Sequence, residues 1–396
     1  MSTRACVVWG PEFTKYDFGV GHPMAPLRID LTAKLAQSLG VLADVDVVSP
    51  GVADDQTLLA AHDGEYVEAV KQVSADPSRA DARFGIGTED VPAFEGMHEA
   101  SARIVAGTME VTRRVWHGEN QHGVNFTGGM HHAMRDRASG FCIYNDIVVA
   151  IEWLLAQGVE RVAYVDVDVH HGDGVQAAFY DDPRVLTCSL HESGRTLFPG
   201  TGWPGDVGGP GAEGTAVNVA LPPAVTDSPW LRALASAVIP VVEAFEPQVL
   251  ITQHGCDTHS SDPLAHMALT VDAQRHAMAT LHRLSHDLCD GRWIALGGGG
   301  YELVDVVPRS WAHLTAIAAH QPVDVATELP ADYVAQVQHL AGKTPPARMG
   351  DLPRSELPIW VQPWSMGYNP HSDVDRAIMA TREAVFPTHG LDVWFD

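Results

Sequence analysis

The sequence predicts an α/β fold in which a doubly wound, mostly parallel sheet carries helices on both faces. Three observations lead there. Short β-branched runs alternate along the chain with longer segments of helical periodicity, the order expected of consecutive βαβ units. Those short runs are almost continuously apolar, as strands buried on both faces are. The Gly-rich and His-rich segments follow directly on four of the runs, and ligands of open α/β sheets bind at the carboxyl ends of strands.

In chain order, Ala5–Val8 reads as the first strand and Leu27–Leu39 as the first helix, with apolar residues at helical spacing. The helical pattern Met97–His117 leads into the strand Val124–Phe126, and Asp146–Gln157 leads into Arg161–Val165. Val185–Leu190 is the next buried strand. Helix Leu231–Phe245 precedes the strand Val249–Thr252, helix Val271–Leu288 precedes Trp293–Leu296, and helix Val304–Ala319 closes the series. With no internal repeat and no linker before about residue 320, residues 1–320 read as one unit. Residues 321–396 are Pro-rich and irregular. They are expected to wrap that unit, because Trp360, Trp364 and Trp394 would not suit a solvated tail.

Composition sets the classes to exclude. The chain has 396 residues, 25 Lys and Arg against 50 Asp and Glu, and a formal charge of −25. A nucleic-acid partner is not expected, since such domains carry a basic face; a cationic substrate fits better. The apolar run Ala5–Trp9 is too short for a signal-peptide core. The longest apolar stretch, Ile147–Ala156, is broken by Glu152 and falls far short of a membrane span. Five widely spaced cysteines (Cys6, Cys142, Cys188, Cys256, Cys289) form no C-x-x-C, which suggests free thiols in a reducing compartment. The expectation is a soluble, cytoplasmic protein without a membrane partner; oligomeric state leaves no signal in the sequence. The 21 histidines are the unusual count and point to metal or proton chemistry.

Four segments concentrate that chemistry. In Tyr164-Val-Asp-Val-Asp-Val-His-His-Gly-Asp-Gly174, Asp166, Asp168 and His170 share one side of the extending strand by its period of two. Burying three such groups requires compensation, which a divalent cation provides. Any one of them alone would read as part of a hydrogen-bonded loop; the whole run favours a metal. Gln253-His-Gly-Cys-Asp-Thr-His259 offers Asp257 as a third ligand, with His254 and His259 as rivals that periodicity does not separate. Two carboxylates, one imidazole and an open position suit catalytic Zn²⁺, and the same set accommodates Fe²⁺. In Phe126-Thr-Gly-Gly-Met-His-His-Ala133, the tandem His131 and His132 read as metal ligands, a proton shuttle or a surface pair. Asp166 and Asp173 are available to orient them, and a neutral imidazole is a competent general base. Leu296-Gly-Gly-Gly-Gly-Tyr301 fails the G-x-G-x-x-G test, because Glu302 or Leu303 falls at the last position. Gly342-Lys343-Thr344 lacks the upstream glycine of a P-loop, Val337 standing there. Tyr301 is either a packed core aromatic or a phenol placed to stabilise an oxyanion.

Taken together, G-G-M-H-H, S-G-F-C-I-Y-N-D, D-V-D-V-H-H-G-D-G, F-P-G-T-G and G-G-G-G-Y resemble the histone deacetylase superfamily in order and character. K-Y-D-F-G-V-G-H-P-M-A-P-L-R and T-E-D-V-P-A-F-E-G-M-H-E-A are most similar to its bacterial acetoin-utilisation branch. The resemblance runs from about residue 6 to 320 and implies an arginase/deacetylase fold with about eight mostly parallel strands. It makes residues 1–320 a single catalytic domain, with 321–396 an extension packed on it.

The resemblance also implies roles. Asp168, His170 and Asp257 match zinc ligands; His131 and His132 match the active-site histidines, with Asp166 and Asp173 as their carboxylate partners. Tyr301 matches the residue that polarises the acyl carbonyl, and Gly140, Phe141 and Phe198 match the walls of an acyl-lysine tunnel. A structural K⁺ would use Asp166, Asp168, His170, Ser189 and the carbonyl of Leu190. The implied reaction is zinc-dependent removal of acetate from acetyl-lysine in a protein or peptide, such as a metabolic acyl-CoA synthetase, with His132 as base and His131 assisting. The alternative is an acetylpolyamine or other small-molecule amidohydrolase. Leu264 stands where polyamine-selective relatives place an acidic gatekeeper, which disfavours that alternative; Glu95 stands where relatives often show proline, on a presumed rim loop.

Overall fold

A computed structural model describes residues 4–396; Met1–Thr3, at the start of the 1–320 unit, lie outside the described residues. Eight strands form one sheet: β1 Ala5–Val8, β2 Asp46–Val48, β3 His122–Asn125, β4 Val162–Asp166, β5 Val185–Glu192, β6 Ala216–Leu221, β7 Val249–Gln253 and β8 Trp293–Leu296. The order is β2-β1-β3-β8-β7-β4-β5-β6, and every pair is parallel. All six strands expected from apolar runs are present. Every residue of β1, β3, β4, β5, β7 and β8 is buried, so both faces of the sheet are covered, as parallel sheets require.

β2 and β6 were not expected, and each has a physical reason to be hidden. β2 is three residues on the sheet edge, partly exposed, and too short to show an apolar run. β6, at the other edge, is interrupted by Asn218. Helix Asp373–Val385 packs on it, and Thr381 Oγ1 donates to the Asn218 carbonyl at 2.7 Å. A covered edge cannot pair with another chain.

Helix Met97–Trp116 packs against β1, β3 and helix Asp146–Ala156, while helix Val271–Cys289 packs against β7, β8 and helix Val307–Ala318. The side chains of Asn145 and Thr270 cap the first turns of Asp146–Ala156 and Val271–Cys289. The helix expected over Leu231–Phe245 is instead Asp227–Ala233, a π-turn at Leu234–Val238, and Ile239–Phe245. Pro240 has no N–H for the Ser236 carbonyl, and the Arg382 guanidinium donates to that carbonyl instead.

The segment expected to be irregular contains two helices. Ala331–Ala341 packs against Leu27–Ser38, with Tyr333 and Val337 meeting Leu31 and Leu35. Asp373–Val385 is tied down by Arg232, which pairs with Asp375 and donates to the carbonyls of Gln362, Pro363 and Gly367. Trp364 is buried with Arg232 and Arg382 over its ring, at 5.0 and 4.7 Å. The shelter expected for all three tail tryptophans extends to Trp364 alone: Trp360 is 61% and Trp394 54% exposed. Trp360 is held through its carbonyl, to which Ser228 donates, rather than through its ring. No helix among the described residues is long and apolar enough to cross a membrane.

The Arg232–Asp375 pair is almost wholly buried, so losing one partner strands the other charge. Asp375→Ala is expected to lower stability by about 3–5 kcal/mol, read as an earlier midpoint in urea unfolding.

Candidate active site

The four segments singled out from the sequence leave four strands that are neighbours in the sheet: β3, β8, β7 and β4. Their last residues lie level, with Asn125 opposite Leu296, Gln253 opposite Leu296, and Asp166 opposite Gln253. Each segment therefore emerges at the same carboxyl rim.

Beyond β4 the chain continues as a ladder of carboxylates that accept backbone N–H groups two residues ahead. Asp166 Oδ1 accepts from Asp168 N at 3.1 Å, and Asp168 Oδ1 accepts from His170 N at 3.0 Å. His170 Nδ1 then lies 3.0 Å from Asp168 Oδ1 and 3.1 Å from Asp257 Oδ2. The Asp168, His170 and Asp257 donor atoms fall within 4.8 Å of one another, and all three residues are buried. Asp168 Oδ2 accepts from Gln253 Nε2 and Gly299 N, both at 2.8 Å; Asp257 Oδ1 accepts from Val169 N at 3.0 Å. The rival histidines are separated from this group. His254 Nε2 pairs with Thr252 Oγ1, and His259 pairs with Ser261 and Asp351. His171, next to His170, turns away to Thr201 and Gln176.

The electrostatics of this donor set suit a cation. Burial and the Asp168 charge push Asp257 up to about 6. Burial opposes the charged form of His170, yet its hydrogen bonds to Asp168 and Asp257 raise it to about 10. His170 retains a proton because two carboxylates share its buried space. A divalent ion displaces such a proton and supplies the charge.

His131 and His132 form two separate dyads. His131 Nδ1 lies 2.7 Å from Asp166 Oδ2, and His132 Nδ1 lies 2.6 Å from Asp173 Oδ1, which leaves each Nε2 on the far side of its ring. The dyads differ in charge. Burial would lower His131, but Asp166 and Asp168 outweigh it and raise the imidazole to about 9. Burial and the charge of His131 bring His132 down to about 4 despite Asp173. Tyr164 adds a hydroxyl donor to Asp166 Oδ2 at 2.6 Å.

The loop bearing the tandem histidines is fixed from behind. Asp146 accepts the N–H groups of Gly129 and Met130 and the hydroxyl of Thr108. Asn145 Nδ2 donates to the Ala133 carbonyl at 2.9 Å, and its own N–H donates to His62 Nε2 at 2.9 Å. On the other side, Arg28 Nη1 donates to the carbonyls of Gly298 and Gly300, at 2.8 and 3.2 Å.

The residues expected to wall a tunnel, Gly140, Phe141 and Phe198, lie close to the dyads and Tyr301. The Phe198 ring lies 5.0 Å from the His132 ring, and the Phe141 ring meets the Tyr301 ring edge-on at 5.7 Å. Gly140 and Phe141 both have positive φ, 54° and 64°, a strained state for phenylalanine. It is maintained by Asp90, which accepts from Gly140 N, and by Tyr16, whose hydroxyl donates to the Phe141 carbonyl at 2.6 Å. Asp262 accepts from Tyr301 N through one oxygen and Leu264 N through the other, so Leu264 is tied to the Tyr301 turn. Ser189, opposite Asp166 on β5, lies beside the first dyad, its hydroxyl 2.9 Å from His191 Nδ1. Leu190 follows it on the same strand. Glu95 is exposed.

A histone deacetylase domain matches residues 22–318. The chain belongs to the histone deacetylase family. Among its relatives, the acetoin utilization protein AcuC of Bacillus subtilis (strain 168) is 38% identical over 377 residues, covering 95% of this chain and 97% of that protein. AcuC of Staphylococcus aureus (strain MSSA476) is 35% identical over 352 residues, covering 88% and 90%. AcuC of Staphylococcus xylosus is 35% identical over 347 residues, covering 87% and 90%. Against this family background, the supporting residues Arg28, Asn145 and Asp146 were in plain view: Arg28 ends M-A-P-L-R and Asn145-Asp146 ends S-G-F-C-I-Y-N-D. Their roles escaped because each acts on backbone that only the fold brings near. His62 and Asp262 lie outside every quoted motif, and Asp90, within T-E-D-V-P-A-F-E-G-M-H-E-A, gave no sign of the backbone it would hold.

His62 gives a pH-dependent expectation. Burial lowers it from the usual 6.5 to about 4, so the unfolded chain binds the extra proton between those values. Stability is expected to fall as pH drops through that window, at about 1.4 kcal/mol per pH unit for this group. His62→Gln should remove about one proton's share of the slope in urea unfolding followed from pH 7 to 4. At Gly140, an added Cβ would meet His132 Cδ2 at 2.2 Å. Gly140→Ala is expected to cut deacetylase kcat/KM about 10²-fold, with the circular dichroism spectrum unchanged.

Proposed function

We propose that the chain is a zinc-dependent protein deacetylase, hydrolysing the N6-acetyl-lysine amide to acetate and free lysine. One observation carries the reading: a buried two-carboxylate, one-imidazole donor set lies beside two His–Asp dyads of opposite charge preference. Asp168, His170 and Asp257 would hold the zinc, and the same set would accept Fe²⁺. When bound, the ion supplies Lewis-acid polarisation of the acyl oxygen and acidifies a water.

The residues of the chain do the rest. His132, neutral and oriented by Asp173, takes the proton of the attacking water at Nε2 as the C–O bond forms. His131, kept protonated by Asp166, contributes positive charge beside the developing oxyanion. The Tyr301 hydroxyl donates to that oxyanion. Burial holds this phenol well above its ordinary pKa, so it remains a donor. His132 then returns its proton to the departing amine as the C–N bond breaks. Gly140, Phe141 and Phe198 would line the acyl-lysine tunnel and exclude water. A potassium ion would be held by Asp166, Asp168, His170, Ser189 and the Leu190 carbonyl, a set supported by the register of Asp166 against Ser189.

An acetylated protein segment is the favoured substrate. Leu264 offers no charge to a polyamine, and the chain's net charge of −25 favours approach of a cationic peptide. Five buried free thiols suit a reducing cytoplasm. A role in acetoin utilisation is supported by the name that the AcuC relatives carry.

Acetate release from acetyl-lysine peptides tests the reading. Tyr301→Phe is expected to lower kcat about 10²–10³-fold, and Asp168→Ala should abolish turnover together with zinc binding at the Asp168, His170 and Asp257 set. Normal turnover in both variants would overturn the assignment. The peptide should also exceed acetylputrescine in kcat/KM; the reverse order would make the chain a small-amine amidohydrolase.

A further inference from the structure

A second group of ligand side chains lies at the opposite end of the sheet. His122 opens β3, at the strand end remote from the catalytic rim. His282 and His286 are four residues apart on helix Val271–Cys289, the spacing that places two side chains on one helix face. His320 follows helix Val307–Ala318 in the left-handed region, φ 58°. Every pair among these four rings is in contact, with centroids between 4.7 and 5.5 Å apart.

The nitrogens face one another. His282 Nε2 lies 3.0 Å from His122 Nε2 and 3.2 Å from His286 Nε2. One imidazole nitrogen carries either a proton or a lone pair, so it cannot form a good hydrogen bond to both neighbours at once. One nitrogen from each of the four rings falls within a common 4.8 Å. In a tetrahedral Zn–N₄ centre, neighbouring ligand nitrogens are about 3.3 Å apart. The two short contacts already approach that spacing.

We propose that His122, His282, His286 and His320 form a second metal site, which binds a borderline divalent transition ion such as Zn²⁺ as a closed four-imidazole centre. Imidazole nitrogen suits zinc, copper and nickel rather than magnesium or calcium. Four protein ligands leave no open position, so the site is structural. It clamps the start of β3 to helix Val271–Cys289 and to the end of helix Val307–Ala318. The protonation state suits the role. Burial and neighbouring histidines lower His122 to about 2 and His282 to about 4, with Arg283 adding to the effect on His282. The lone pairs are therefore available at neutral pH. His286 and His320 are exposed, which gives an ion a path in.

The test counts zinc by mass spectrometry in the full chain after equilibration and dialysis, in the unmodified protein and three variants. The unmodified protein is expected to retain about two ions and Asp168→Ala about one. His286→Ala with His320→Ala should retain about one, and the triple variant none. The double histidine variant should keep full deacetylase activity, because neither residue touches the catalytic site. Added zinc should raise the melting temperature of Asp168→Ala by several degrees and leave the triple variant unmoved. Equal ion counts with and without the two histidines, or an equal thermal shift, would overturn the proposal. Loss of zinc on Asp168→Ala alone bears only on the proposed catalytic function, so the two sites fail independently.

Discussion

The structure turns on the Asp168 carboxylate. It has no solvent contact and sits just past the end of a central strand, where an unpaired charge would be costly. Three loops and the last residue of β7 answer that cost. Its own loop supplies the His170 N–H, the loop after β7 follows Gln253, whose amide reaches it, the glycine run after β8 supplies the Gly299 N–H, and the loop after β3 supplies His131. Satisfying one buried carboxylate therefore draws together the four segments that carry the chemistry. The glycine run follows from the same demand. A side chain at Gly299 would fall 2.0 Å from Asp257 and 2.9 Å from Asp168.

The two dyads show how one environment sets two tendencies. Both imidazoles are buried and both carry a carboxylate on Nδ1. His131 also faces Asp168, whereas His132 faces His131 and His170. The nearer negative charge raises one imidazole, and burial together with the nearer positive charge lowers the other. Sequence adjacency thus becomes functional difference, through neighbours contributed by distant strands. The walls are positioned from further out, by Tyr16, Asp90 and Asp262. Each of these spends its polar group on backbone rather than on substrate.

The C-terminal segment extends the same logic to the sheet edge. β6 is last in the order and would present unpaired backbone. Helix Asp373–Val385 covers it, anchored by Arg232 and Arg382. Arg382 also answers the carbonyl that Pro240 leaves open, so one guanidinium serves both the π-turn and the tail. This contact joins residues 146 positions apart, which no local pattern could announce.

By itself the sequence determined the parallel α/β class, six of the eight strands, and the His-, Asp- and Gly-rich segments that meet at one rim of the sheet. Buried strands and strand-end ionisable groups leave local signatures: β-branched runs, and D-x-D-x-H alternating with valine. Short or edge strands such as β2 and β6 do not, because their pairing is supplied by neighbours. Tertiary structure settles what strand spacing left open between His254, His259 and Asp257: all three follow the same strand, and packing turns Asp257 to His170. It also assembled the four-histidine group, whose members come from a strand, a helix and a helix end up to 198 residues apart (320 − 122). Periodicity reports the face of one element; it carries no information about which other face will be packed against it.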